Sequence, residues 1–124
     1  MANPSTTGPS GIGTEVLRRK GIIHGTNSTN SGRSTLVTVG TDMIVTVLSI
    51  TITNNSGAAN KKFDLEVKID GGTAMKLLAN VPIPTNDTFV FNDRIVLTET
   101  DVLDIVCDST DHDVYISYIE QEFE

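Results

Sequence analysis

Ile44-Val45-Thr46-Val47-Leu48-Ser49-Ile50-Thr51-Ile52-Thr53 is a run of ten residues made almost wholly of β-branched side chains and leucine. Such side chains are stiff at χ1 and suit a pleated, half-buried surface better than a helix. Under a strict period of two, Ile44, Leu48, Ile50 and Ile52 share the face expected in the core, interrupted by Thr46, while Ser49, Thr51 and Thr53 share the other. Val45 and Val47 add apolar surface to that second face, so the stretch is predicted to be a long strand with its first half the more fully buried. Asn54-Asn55-Ser56-Gly57 closes it with turn chemistry. Later segments are expected to lie beside or opposite this strand.

Working outward, Phe63-Asp64-Leu65-Glu66-Val67-Lys68-Ile69 alternates cleanly, with Phe63, Leu65, Val67 and Ile69 facing in and Asp64, Glu66 and Lys68 facing water. Asp70-Gly71-Gly72 is a tight-turn signal that makes a hairpin with Met75 to Val81. Pro82-Ile83-Pro84 must lie at an edge or a bend, because neither proline can donate to a ladder. Thr88–Asn92 and Arg94–Thr98 read as one strand broken or bulged at Asn92-Asp93, followed by Val102–Cys107 and Val114–Tyr118. Ser34–Val39 is a short strand before the turn Gly40-Thr41-Asp42, and Thr14–His24 is an earlier one. Short strands at spacings of about 8 to 12 residues, with turn residues at nearly every joint, predict an all-β, antiparallel two-sheet sandwich of jelly-roll or immunoglobulin-like type.

The chain has 124 residues, enough for one core and not two. Residues 1–13 hold two prolines, three glycines and small polar residues, which predicts an extended arm. The domain division is therefore 1–33, comprising arm, first strand and a flexible loop, and 34–124, the sandwich. No basic-then-apolar leader opens the sequence, and no apolar run is long enough to span a bilayer. With the single Cys107, no internal disulfide is possible. Sequons at Asn27, Asn54 and Asn86 carry little weight without a secretion signal.

Net charge is −7 but unevenly placed. Residues 1–40 hold Arg18, Arg19, Lys20 and Arg33 against Glu15, whereas from Asn86 onward eleven acids face the single base Arg94. A nucleic-acid binder has the opposite balance. The asymmetry suggests instead a basic segment that rests on an acidic protein surface. Along a strand Arg18, Arg19 and Lys20 alternate in direction, which spoils a single phosphate patch. With Ile12 and Val16 they are the candidate partner-binding residues.

Phosphate loops, dinucleotide fingerprints, zinc-protease motifs and nucleophile elbows are all absent from the sequence. Cys107 alternates with Leu103 and Ile105 and reads as a core thiol. His24 lies among apolar residues just before a loop and reads as a structural or surface histidine, and His112 sits in a different loop. Asp108, Asp111 and Asp113 could offer oxygen ligands to a cation, but the loop lacks the glycine and bidentate glutamate of an EF-hand, so a solvated hairpin tip is the preferred reading. No cofactor is expected. Without a nucleophile–base pair or metal triad, an enzyme is not expected. With aromatics at 5% and no Trp, a base-stacking or sugar platform is disfavoured.

Gly13-Thr14-Glu15-Val16-Leu17-Arg18-Arg19, Ile44 to Ile52, Val81-Pro82-Ile83-Pro84, and above all Thr88-Phe89-Val90-Phe91-Asn92-Asp93-Arg94-Ile95-Val96-Leu97 carry a resemblance. Together they resemble small virion structural proteins of tailed bacteriophages, cyanophage proteins in particular, over roughly residues 13–121. The resemblance implies a β-sandwich present in many copies that decorates or joins parts of a particle. A capsid decoration (cement) protein bound to the major capsid protein is the expected function. A tail, neck or fibre component, or a stand-alone ligand-binding sandwich, is the alternative. Expected partners are other virion proteins and further copies of the chain, a trimer being favoured, with no nucleic acid and no membrane. The motifs include no catalytic residue to carry over.

Overall fold

The structure, a computed structural model, describes residues 15–22, 33–55, 61–107 and 112–122. Nine strands carry these segments: β1 (Glu15–Ile22), β2 (Arg33–Thr38), β3 (Met43–Asn54), β4 (Lys61–Lys68), β5 (Ala74–Ile83), β6 (Thr88–Phe91), β7 (Ile95–Leu97), β8 (Val102–Cys107) and β9 (His112–Glu122). One sheet has the order β1-β9-β3-β6, with β7 also on β3, and the other has the order β2-β8-β4-β5. All the pairings are antiparallel. The chain pairs β1 with β9, β2 with β8, β3 with β6 and β7, and β4 with β5, like one long hairpin folded over on itself. That nesting is the jelly-roll form of the β-sandwich, and it sets aside the immunoglobulin-like order.

The expected broken strand is real. β6 and β7 both lie along β3, pairing Ile50–Thr53 and Val45–Val47 respectively. β3 therefore has a partner along both edges, as a run so rich in β-branched residues requires. Its faces are not those of a strict period of two. The register against β9 shifts between Val47 and Ser49, so Leu48 is an extra residue and the alternation changes phase there. Val45 and Val47 face the core before the bulge, and Ile50, Ile52 and Asn54 face it afterwards. Ile44 and Leu48, expected in the core, are half-buried on the outward side. A second register shift in β2, between Thr35 and Val37, lets Leu36 and Val37 both be buried.

Phe63, Leu65 and Val67 of β4 are buried as expected, and Phe63 meets Phe89 of the opposite sheet with ring centroids 5.4 Å apart. Ile69 is not core. It begins a single 3-10 turn, Ile69–Gly71, and is 58% exposed, because Asp70 and Gly71 both take left-handed φ to reverse the chain into β5. β5, which contains Pro82, is an edge strand. β9 runs farther than the predicted Val114–Tyr118, since it is the central strand between β1 and β3. His112 opens that strand opposite Asn54 and is buried, where the sequence suggested a loop.

Asn54 ends β3 by bonding rather than by bending. Its Nδ2 donates to the Ile83 carbonyl at 2.8 Å, its N–H donates to Asp87 O, and its carbonyl accepts from Asn86 N–H. As it is fully buried, its sequon is not a glycosylation site in the folded chain.

Candidate functional site

β1 is the strand at which the sequence placed its binding residues. It pairs with β9 along its whole length, from Glu15 opposite Gln121 to Ile22 opposite Val114. Of its eight residues only Ile22 is buried. Val16, Arg18, Lys20 and Ile22 lie on the row that faces the second sheet, and Leu17 and Arg19 lie on the outward row. The basic triplet is thus divided. Arg18 Nε donates to Glu120 Oε1 at 2.7 Å, which raises the guanidinium pKa further. Lys20 Nζ donates to the Thr35 carbonyl at 2.9 Å and so ties β1 to the edge of the other sheet. Arg19 alone points outward.

The outward face of the five-stranded sheet gathers several of the exposed apolar side chains among the described residues. Cross-strand register aligns Leu17, Ile119, Thr46 and Val96 in one row and Gly21, Tyr115, Thr51 and Val90 in another. Leu17 is 72% exposed, Val96 64%, Val90 51% and Tyr115 48%. Leu48, pushed outward by the bulge, joins Leu17, Arg18, Arg19, Tyr115 and Ser117 around a depression of about 490 Å³. Charge on the outward strand positions is confined to Glu15, Arg19 and Asp113 at the margin, on a chain whose net charge is −7. An exposed apolar face of this kind, rimmed by polar residues, marks an interaction surface.

The outward face of the other sheet is its opposite in chemistry. Asp104 and Glu66 stand side by side on β8 and β4, both buried. Arg33 bridges them, donating from Nη1 to Asp104 Oδ2 at 3.0 Å and from Nη2 to Glu66 Oε1 at 2.9 Å. Thr35 Oγ1 adds a bond to Asp104 Oδ1 at 2.8 Å. Glu66 therefore points outward as expected but does not meet water, because Arg33 covers it. Next to this cluster, burial alone would push the Asp64 carboxyl up. The Asn80 N–H at 2.6 Å and Lys76 at 3.1 Å outweigh burial and hold it below the usual carboxylate range. Arg33, Glu66, Asp104, Asp64 and Lys76 thus form a network of paired charges on this face.

Of the remaining candidates, Ile12, His24, Asp108 and Asp111 lie outside the described residues. Asp113 sits on β9 opposite Thr53. Among the described residues no group of three or more His, Cys, Asp or Glu is placed to hold a metal ion. Cys107 is buried in the core, opposite Phe63. The outward apolar face was missed by sequence reasoning. Its signal was present in the spare apolar residues Val90, Val96 and Tyr115 of otherwise alternating strands, but only the strand order shows that they share one face.

No family model matches the chain, and no curated protein matches it. Solved structures do resemble it in fold. A protein of the Bacillus endospore appendages, which form disulfide-linked pili, aligns with a TM-score of 0.52 at 13% identity, over 94% of this chain and 95% of its own. The capsid structure of a Helicobacter pylori bacteriophage aligns with a TM-score of 0.48 at 9% identity, over 89% of each chain. A pentameric capsid protein from metagenomic phage sequences aligns with a TM-score of 0.44 at 14% identity over 86% of this chain, which spans only 61% of the length of that protein.

Proposed function

We propose that this chain is a non-enzymatic structural subunit of a virion, a decoration protein that fastens onto neighbouring capsid subunits. The observation that carries the reading is the outward face of the five-stranded sheet, apolar and nearly uncharged, on a jelly-roll whose other face carries a network of paired charges. Burying such a face against another protein is favourable at roughly 25 cal/mol per Å² of apolar area, before the costs of association. The resemblance of Thr88–Leu97 and its flanks to phage virion proteins supplies the kind of partner. By general analogy the jelly-roll is also a capsid architecture, a fold-level argument that adds less weight than the face itself.

In this reading the N-terminal residues add a second contact. Thirteen residues laid out extended reach about 45 Å. They hold too little apolar surface to offset the ~1–2 kcal/mol per residue lost on ordering a backbone without a neighbour. Ile12 and Val16 would dock on the capsid subunit, and Arg19 at the face's margin would steer towards acidic surface, with binding that weakens as salt rises. The experiment is direct. Purified chain is mixed with particles of its own virus that lack it and imaged in negative stain. Added density at regular lattice positions is the expected result; bare particles at saturating protein would overturn the reading.

A further inference from the structure

We propose that the outer edge of β1 is a self-pairing edge. Two copies of the chain join β1 to β1, antiparallel, across a two-fold axis at Leu17, and two five-stranded sheets become one continuous sheet. The inference rests on strand edges and charge, and does not depend on the virion reading.

A sandwich leaves open edges, and each must be blunted or used. β6 and β7 are only four and three residues long. β5 contains Pro82 and two register shifts against β4, and β2 is bulged after Thr35. β1 has none of these devices. It runs eight residues with an unbroken register against β9 and no proline, and among the described residues it pairs with β9 alone. With a net charge of −7, two copies repel over most of their surface. β1 carries Arg18, Arg19 and Lys20 against Glu15, so this edge is the place where approach is least opposed.

The side chains then select one register. Antiparallel strands that keep a common outer face must place outward residues opposite outward residues. Centring the axis on Arg18 or on Arg19 sets a cation opposite its own copy. Centring it on Val16 shortens the ladder and separates Glu15 from Arg19. Centring it on Leu17 places Leu17 opposite Leu17 of the second copy and Glu15 opposite Arg19 of the second copy, twice. Val16 then faces Arg18, whose charge is already neutralised by Glu120 at 2.7 Å. The row Leu17–Ile119–Thr46–Val96 continues across the axis into the same row of the second copy, doubling the apolar face.

The test reads register directly. Wild-type chain should sediment as a concentration-dependent dimer. Under mild oxidation Leu17→Cys should form a covalent dimer faster than Arg18→Cys or Arg19→Cys, with wild type, whose Cys107 is buried, as the unreactive control. Arg19→Glu should weaken the dimer at least about tenfold, since it turns two attractive pairs into repulsive ones. Glu15→Arg combined with Arg19→Glu should restore it, all with unchanged circular dichroism. A monomer at about 100 µM, weaker than any specific edge pairing, overturns the proposal. So does fastest cross-linking at Arg18→Cys or Arg19→Cys, or failure of the charge swap to rescue.

Discussion

At the scale of single residues, phase along a strand decides what a substitution costs. Leu65 is fully buried between the sheets, so Leu65→Ala should destabilise by roughly 2–5 kcal/mol. Leu48 carries the same side chain but sits outward on the bulge, so Leu48→Ala should cost less than about 1.5 kcal/mol. Chemical denaturation of the two variants checks the bulge, and equal losses would restore the strict alternation. Asp64 gives a pH signature. Its folded pKa is lowered, so its contribution is present above the ordinary carboxylate pKa and is lost as pH falls through the lower folded value. Asp64→Asn should therefore be less stable than wild type at neutral pH, with the gap closing as pH falls below the ordinary carboxylate range and wild type loses the same interaction. A gap that stays constant with pH would mean that the Asn80 and Lys76 contacts do not act through the charge.

At the scale of elements, the nine strands follow from alternation and turn chemistry, and these were largely legible. Phe63, Leu65 and Val67 alternate without interruption, and Asp70-Gly71 is a turn because both residues take positive φ. Ile44 and Leu48 were misplaced for one physical reason. A bulge inserts one residue and flips every later side chain, and nothing in Ile-Val-Thr-Val-Leu-Ser marks where it falls. Glu66 was assigned to the right side of its strand, but its burial depends on Arg33, thirty-three residues away in sequence and joined to it through the register of β2, β8 and β4. The apolar outward face is likewise a property of strand order, which periodicity does not contain. The Arg33 bridge should matter to stability. Arg33→Met leaves Glu66 and Asp104 adjacent and uncompensated, and with Arg33 itself partly exposed the expected cost is about 1–3 kcal/mol, read as a lower denaturation midpoint at pH 7.

At the scale of the whole molecule, the jelly-roll carries paired charges on one face and exposed apolar residues on the other, and the proposed attachment uses the apolar side. Deleting residues 2–13 should leave the circular dichroism unchanged and weaken attachment to particles; undiminished binding would make the arm a linker and leave attachment to the sheet face alone. The most direct test of the account is quantitative co-sedimentation of two chains with particles lacking the protein: wild type, and a Val90→Glu, Val96→Glu variant. Both positions are exposed, so the melting temperature should not change. An unpaired carboxylate pressed into an apolar interface is costly, and the variant's affinity should fall by about tenfold or more while wild type saturates the particle. If the variant instead binds as tightly as wild type, the outward face is not the attachment surface and the account is wrong.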